Sequence, residues 1–331
     1  MRAMLALALL VVAGSASAQS ITEFPIPSPD VDSWDLCLGP DGAIWFNEPL
    51  ALGLGRIDMQ GNITEFPVGH GPYGCAAGPD GNVWFTAGSS FGRMTTSGQV
   101  TLFPDLETAA APIIAGSDGN LWVGLLEGRI ARITPNGAVT YFSLGLATPL
   151  SGIGGPHSLA LGADGNVWYA LPTVDVVGKI TPDGSVTNYS TPGVDPFAIA
   201  AGPDGALWFA GSMIGRITTQ GELQTFDPLL GGLATGAGVG PDGNVWLAES
   251  LAEKIGRVTP QGLLTEFDLP NRSATHFAAG AFDVLTGPDG NLWYVRRGEN
   301  RIGRVTLAGR RQPVERPRER GRAPIVVPRP E

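Results

Sequence analysis

Seven stretches of the chain carry the same alternation of apolar and polar positions. Each opens with a short small-and-apolar run, such as "FAIAAG" (197–202), followed by a polar Asp-Gly pair. A second apolar run follows the pair, as in "ALWFA", then an "IGRIT"-like run, then a Gly turn and an "ITEF"-like run. Apolar runs of four to six residues bounded by Gly, Asp, Asn and Pro predict β-strands. Asp-Gly between such runs predicts a tight hairpin, because Gly accepts the positive φ that the turn requires. No 10–15-residue helical pattern intervenes.

The period is set by tryptophan. Trp45, Trp84, Trp122, Trp168, Trp208, Trp246 and Trp293 each follow an Asp-Gly by two or three residues, at spacings of 39, 38, 46, 40, 38 and 47. Four strands per unit of about 40 residues, seven times over, predict an all-β, seven-bladed β-propeller of four-stranded blades. The outer "ITEF"-type strands start at Ile21, Ile63, Val100, Val139, Val186, Leu223 and Leu264. The first of them, "ITEFPI" (21–26), precedes any inner strand, and the last unit stops after "RIGRVT" (301–306). The N-terminal strand is therefore expected to complete the last blade, closing the ring and removing an exposed edge. A monomer is expected.

The ends of the chain differ from its body. "MRAMLALALLVVAGSASAQS" has Arg2, an apolar Leu5–Val12 and small residues Ala16-Ser17-Ala18. That order predicts a signal peptide over 1–18, cleaved before Gln19, and a secreted or periplasmic protein. The apolar run is too short to span a bilayer, and no transmembrane segment is expected. The propeller then occupies 19–309, with a net charge of −15, which argues against a nucleic-acid partner. Residues 310–331 are rich in Arg and Pro, with a net charge of +4. They are expected to be a disordered tail, with contact to an anionic envelope surface as the alternative. Cys37 and Cys75 align one position apart in adjacent inner strands and can enter one inter-blade seam. A disulfide is open to them, but two buried thiols are the expectation, given the tight distance a disulfide needs.

A residue present in every blade belongs to the scaffold. The tryptophans and the Arg or Lys of each third strand (Arg56, Arg93, Arg132, Lys179, Arg216, Arg257, Arg304) fall in that class. Function is sought where the repeats differ, on the loops a rigid frame presents. The residue seven before each Asp marks the channel rim: Trp34, Tyr73, Ala111, His157, Phe197, Thr235 and Phe282. Trp34, Tyr73, Phe197 and Phe282 are the candidate ligand platform. All three histidines, His70, His157 and His276, lie on connections leading to that rim. Glu48 and Glu249, at the ends of second strands, and Asp283 are the candidate metal carboxylates, with His276 nearby in blade order. "GSSFG" (88–92) and "GAGVG" (236–240) sit between or within strands, so neither is a nucleophile elbow nor a phosphate loop.

The unit "ITEFPVGHGPYGCAAGPDGNVWFTA" (63–87), with "IGRVTPQG" (255–262), resembles the repeat of the virginiamycin B (streptogramin B) lyase family. The resemblance covers 21–309. It implies a Mg²⁺-dependent carbon–oxygen lyase that opens a cyclic depsipeptide at its ester by elimination. A base takes the proton α to the carbonyl, and the metal stabilises the enolate. The family pattern places Pro-His at one rim position, Glu-Pro-His at the next, and a second Glu at the end of the following second strand. The corresponding positions here are Thr235, Phe282, Gly280 and Arg296, and none matches. A partial echo lies at Pro156-His157 and Asp195-Pro196-Phe197. His157 and Asp195 are thus the candidate catalytic pair, with His276 a further candidate. The expectation is an exported propeller that binds a small or peptide-like ligand on its loop-rich face. The alternatives are the Mg²⁺-dependent lyase itself, linked to antibiotic resistance, and an envelope-associated interaction protein.

Overall fold

The computed structural model describes residues 19–146, 154–229, 232–270 and 280–307. The predicted signal segment, the Arg/Pro-rich tail and His276 lie outside the described residues. Seven four-stranded antiparallel sheets are arranged in the order the repeat predicts. Blade 1 is typical: strands Leu36–Leu38, Ile44–Glu48, Gly53–Ile57 and Ile63–Pro67 run from the channel outward. Blade 7 takes three strands from residues 281–307 and its outermost strand from Gln19–Pro25, paired antiparallel with Ile21 opposite Val305. Among the described residues no helix is long and apolar enough to cross a membrane.

One hydrogen-bonded clasp recurs in every blade at the Asp-Gly end. In blade 1 the indole N–H of Trp45 donates to Asp41 Oδ1 at 3.1 Å, and Arg56 Nε lies 2.6 Å from Asp41 Oδ2. The Trp-to-Asp bond is present in all seven blades. Burial alone would raise the Asp41 pKa, but the Arg56 and Trp45 bonds hold it below the usual carboxylate value. The third-strand cation, which pairs with the Asp in five blades, also reaches forward: Arg93 donates to Pro135 O, Arg132 to Pro182 O, Lys179 to Thr219 O and Arg304 to Met59 O, each in the next blade. The residue is scaffold, as its sevenfold recurrence implies. The glycine ending each inner strand makes room for the indole: a Cβ on Gly39 would lie 2.3 Å from the Trp45 ring.

The core sits in the seams between blades. Trp45, Cys37 and Leu54 of blade 1 pack with Cys75, Val83 and Phe85 of blade 2 in one cluster. Each tryptophan also stacks on the aromatic residue of its own outer strand, as Trp208 does on Phe226 at 5.3 Å. Seven such stacks repeat around the ring.

The cysteines correct the expectation of free thiols: Cys37 and Cys75 form a disulfide, with 5.7 Å between their Cα atoms. The reason is radial. Inner strands converge toward the axis, so neighbouring ones come within the span a disulfide needs, and the one-residue offset turns both side chains into one seam.

Candidate functional site

The inner strands surround a central channel of about 840 Å³, whose mouth is lined by Trp34, Tyr73, His157, Thr235 and Phe282. These rim residues stand at the starts of the inner strands, at the end of the ring opposite the Asp-Gly clasps. Two aromatic groups form there. On one side, Trp34 tilts against Tyr73 with 5.3 Å between ring centroids, and its indole N–H donates to the Tyr73 carbonyl at 3.0 Å. The Arg297 guanidinium then lies 5.2 Å from the Trp34 ring and 5.3 Å from the Phe282 ring. On the other side, His157 meets Phe197 edge-on at 4.8 Å. Of the four platform residues named from the sequence, Trp34, Tyr73 and Phe282 line the channel, and Phe197 packs against His157 beside it.

His157 is exposed at the mouth, yet the surrounding wall desolvates it and lowers its pKa, partly offset by the Phe197 backbone. Desolvation keeps the ring neutral over a wider pH range, a state that can accept a proton. Asp195 does not join it. Its carboxylate accepts from Ser212 Oγ at 3.2 Å within blade 5, and its own N–H donates to Asp175. The partial family echo therefore brings His157 to the platform but not to its expected acidic partner.

The candidate metal carboxylates fall in three separate places. Glu48 is buried at 1% exposure and faces Glu65 of its own blade. Burial and the Glu65 charge push its pKa up to about 8. Glu249, fully buried, faces Glu266, and burial followed by the Glu266 charge raises it to about 7 against the pull of Lys254. Asp283 alone lies in the channel. No group of three or more His, Cys, Asp or Glu able to hold a metal occurs among the described residues. The expected convergence of Glu48, Glu249 and Asp283 is not found.

The positions where the family pattern puts its metal ligands do not fit a divalent cation in this chain. Thr235 Oγ1 is engaged as a donor to the Phe282 carbonyl at 2.9 Å. A Cβ on Gly280 would lie 2.4 Å from the Glu249 carbonyl oxygen, so no side chain enters there without moving backbone. Arg296 is fully buried and pairs with Glu23 and Glu253, each at 3.1 Å. A guanidinium thus occupies the place of a metal-binding carboxylate.

Two groups at the channel escape sequence inspection: the pairing of Asp283 with Asp35, and Arg297. Asp35 and Asp283 line the channel just inside Trp34 and Phe282. Asp283 Oδ2 accepts from Leu36 N at 3.1 Å, and Asp35 Oδ2 accepts from Cys75 N at 2.8 Å. Each carboxylate thereby latches the next blade's inner strand. Burial, then the charge of Asp283, raises the Asp35 pKa well above its usual value, against the Cys75 N–H. Burial raises Asp283 to about 6. Ser158 makes the same latch to Ile199 N, at 3.3 Å, without a charge. The second group is Arg297, held by Asp32 through Nη2 at 2.8 Å and through Nε. A cation recurring at no other blade's equivalent position, set beside aromatic rim positions, is the signal that would have found it.

Known proteins share both the repeat and the ring. The model of the virginiamycin B lyase family matches residues 11–154 and 146–324. Virginiamycin B lyase of Nocardia farcinica is 30% identical over 212 residues, covering 62% of this chain and 72% of that protein. A solved streptogramin B lyase superposes with a TM-score of 0.77 at 27% identity, over 87% of this chain and 98% of its own. A catalytically inactive virginiamycin B lyase from Staphylococcus aureus, solved with quinupristin, does so at 0.77 and 27% identity, over 88% of this chain and all of its own. The sevenfold Asp–Trp clasp, the closed ring and these matches across nearly the whole described chain lead to one conclusion: the chain belongs to the virginiamycin B lyase family.

Proposed function

We propose that this protein binds a peptide-like small molecule, of the cyclic depsipeptide type, across the mouth of its channel. The observation that carries the reading is the split aromatic rim, with Trp34, Tyr73 and Phe282 on one side and the His157–Phe197 pair on the other. Aromatic faces supply large contact area at small entropic cost, which suits a compact ring with apolar side chains. Membership of the family supports the ligand class. Trp34 is a built-in reporter, because the other seven tryptophans are buried to 1% exposure or less. Titration with quinupristin should quench its fluorescence saturably, and Trp34→Phe should remove the signal. No saturable change and no heat of binding at millimolar ligand would overturn the reading.

Family membership also favours a second reading, carbon–oxygen lyase chemistry on the bound ester. His157, neutral and exposed at the rim, is the side chain best placed to take a proton. Chromatographic separation of the isomeric linear product, absent with His157→Ala, tests it. Elimination conserves mass, so mass alone does not report turnover. The apolar N-terminal segment and small-residue site support export, and the cationic 310–331 segment supports contact with an anionic envelope polymer. Fractionation of cells expressing the chain with and without 310–331 separates the two.

A further inference from the structure

We infer that the positive charge at this channel mouth is supplied by Arg297 rather than by a divalent cation, and that its outward N–H groups take a carbonyl oxygen of the ligand. The inference rests on the peptide-like reading above and specifies how that ligand is held.

Arg297 follows the second strand of blade 7 and lines the channel. Trp34 and Phe282 flank its guanidinium at 5.2 and 5.3 Å. Asp32, two residues before Trp34, takes Nη2 and Nε. A carboxylate gripping one edge of a guanidinium fixes its plane, so the remaining donors point in a set direction. Nη1 has no protein partner among the described residues. Its two N–H groups are therefore oriented and unspent at the place where the ligand must lie.

The neighbouring arginine makes the contrast. Arg296 spends its donors on Glu23 of its own blade and on Glu253 and the Pro270 carbonyl of blade 6, buried in the seam. It bars a metal from the family's position and offers nothing to a ligand. Arg297 is partly exposed and keeps a free edge. Charge then selects the acceptor. The body carries a net −15, and Asp35 and Asp283 lie in the same channel. A multiply charged anion such as phosphate is repelled there, whereas an ester or amide carbonyl accepts the hydrogen bonds without bringing charge. A neutral, carbonyl-rich body with apolar flanks fits both the guanidinium and the rings beside it.

The test is quinupristin binding by Trp34 fluorescence and calorimetry, in EDTA and in Mg²⁺, with melting curves for every variant. Wild-type affinity should agree within about twofold in the two buffers, since no metal takes part. Arg297→Gln should weaken binding at least tenfold, the range a lost charge-assisted hydrogen bond gives. Arg297→Lys should recover part of it, and millimolar inorganic phosphate should not compete. Should Arg297→Gln melt early, Asp32→Asn keeps the cation but frees its plane, and weakening of several-fold is expected. Binding that needs Mg²⁺, or that is indifferent to both Arg297→Gln and Asp32→Asn, overturns the inference while leaving the ligand reading intact. Absence of wild-type binding overturns the ligand reading and the inference with it.

Discussion

The two ends of the ring obey different rules. At the Asp-Gly end every blade repeats one clasp, with the tryptophan, aspartate and outer-strand aromatic in the same relation seven times. At the rim the seven corresponding positions hold Trp34, Tyr73, Ala111, His157, Phe197, Thr235 and Phe282. Strands only a few residues long join the two ends, so the contrast arises within about 15 Å of chain. The uniform end carries the seams and hence the stability. The varied end repeats no single contact, and only some of its residues, such as Asp35, Asp283 and Ser158, tie one blade to the next.

Four perturbations test that division, from the largest expected effect to the smallest. Trp208→Ala should cost roughly 3–5 kcal/mol in denaturant unfolding, the range for emptying a buried aromatic site. It should leave ligand affinity of the folded fraction unchanged. A loss below about 1 kcal/mol would mean that the clasp end is not where stability lies. Next, the Cys37→Ala/Cys75→Ala double variant should lose about 2–4 kcal/mol relative to the oxidised protein. Because the disulfide lies beside the channel, this variant asks whether the varied end also bears load.

The third test is pH. Glu48 and Glu249 have folded-state pKa values of about 8 and about 7, above those of an unfolded glutamate. Between the unfolded and folded values the native state holds the extra protons. Stability is therefore full below about pH 4.5 for these two groups, and is lost as pH rises through 7 to 8. Glu48→Gln should flatten that decline and raise the melting temperature at pH 9. A protein that instead gains stability between pH 6 and 9 would contradict the buried carboxyl pairs. The smallest effect is expected from Asp195→Asn. Its backbone has φ of 49°, which Asn adopts readily, and its carboxylate holds only Ser212. Stability should shift by less than about 0.5 kcal/mol, with binding unchanged. Loss of binding or turnover would revive the pairing of Asp195 with His157.

The fold was legible because its determinants are local and repeated. Asp41, Gly42 and Trp45 lie within five residues, and seven copies leave little room for another period. The rim aromatics were legible for the same reason, by counting back from each Asp. What escaped detection depends on contacts across the ring. Arg297 meets Trp34 and Asp32 across 263 and 265 positions of sequence, and only ring closure makes them neighbours. Asp35 and Asp283 are joined in the same way. The Glu48–Glu65 and Glu249–Glu266 pairs were within reach: in both blades a Glu three after the Trp coincides with an "ITEF" or "LTEF" strand. That coincidence predicts a facing pair inside one sheet rather than a converging metal site. The disulfide required a Cα separation that spacing alone does not supply.

Blade 7 joins Gln19–Pro25 to Arg301–Leu307 across seven paired positions. An early-made strand thus waits for a late-made one. During synthesis, blade 7 and its seams with blades 6 and 1 stay incomplete until residues 301–307 are present. A chain stopped before residue 301 leaves the early strand without its partner and exposes the edge of Leu292–Arg296. The platform formed by Trp34, Phe282 and Arg297 straddles that same junction. The contacts of Arg297 with Trp34 and Phe282 therefore form only once the two ends of the ring have met, so that a copy truncated before blade 7 lacks both the closed edge and that side of the rim.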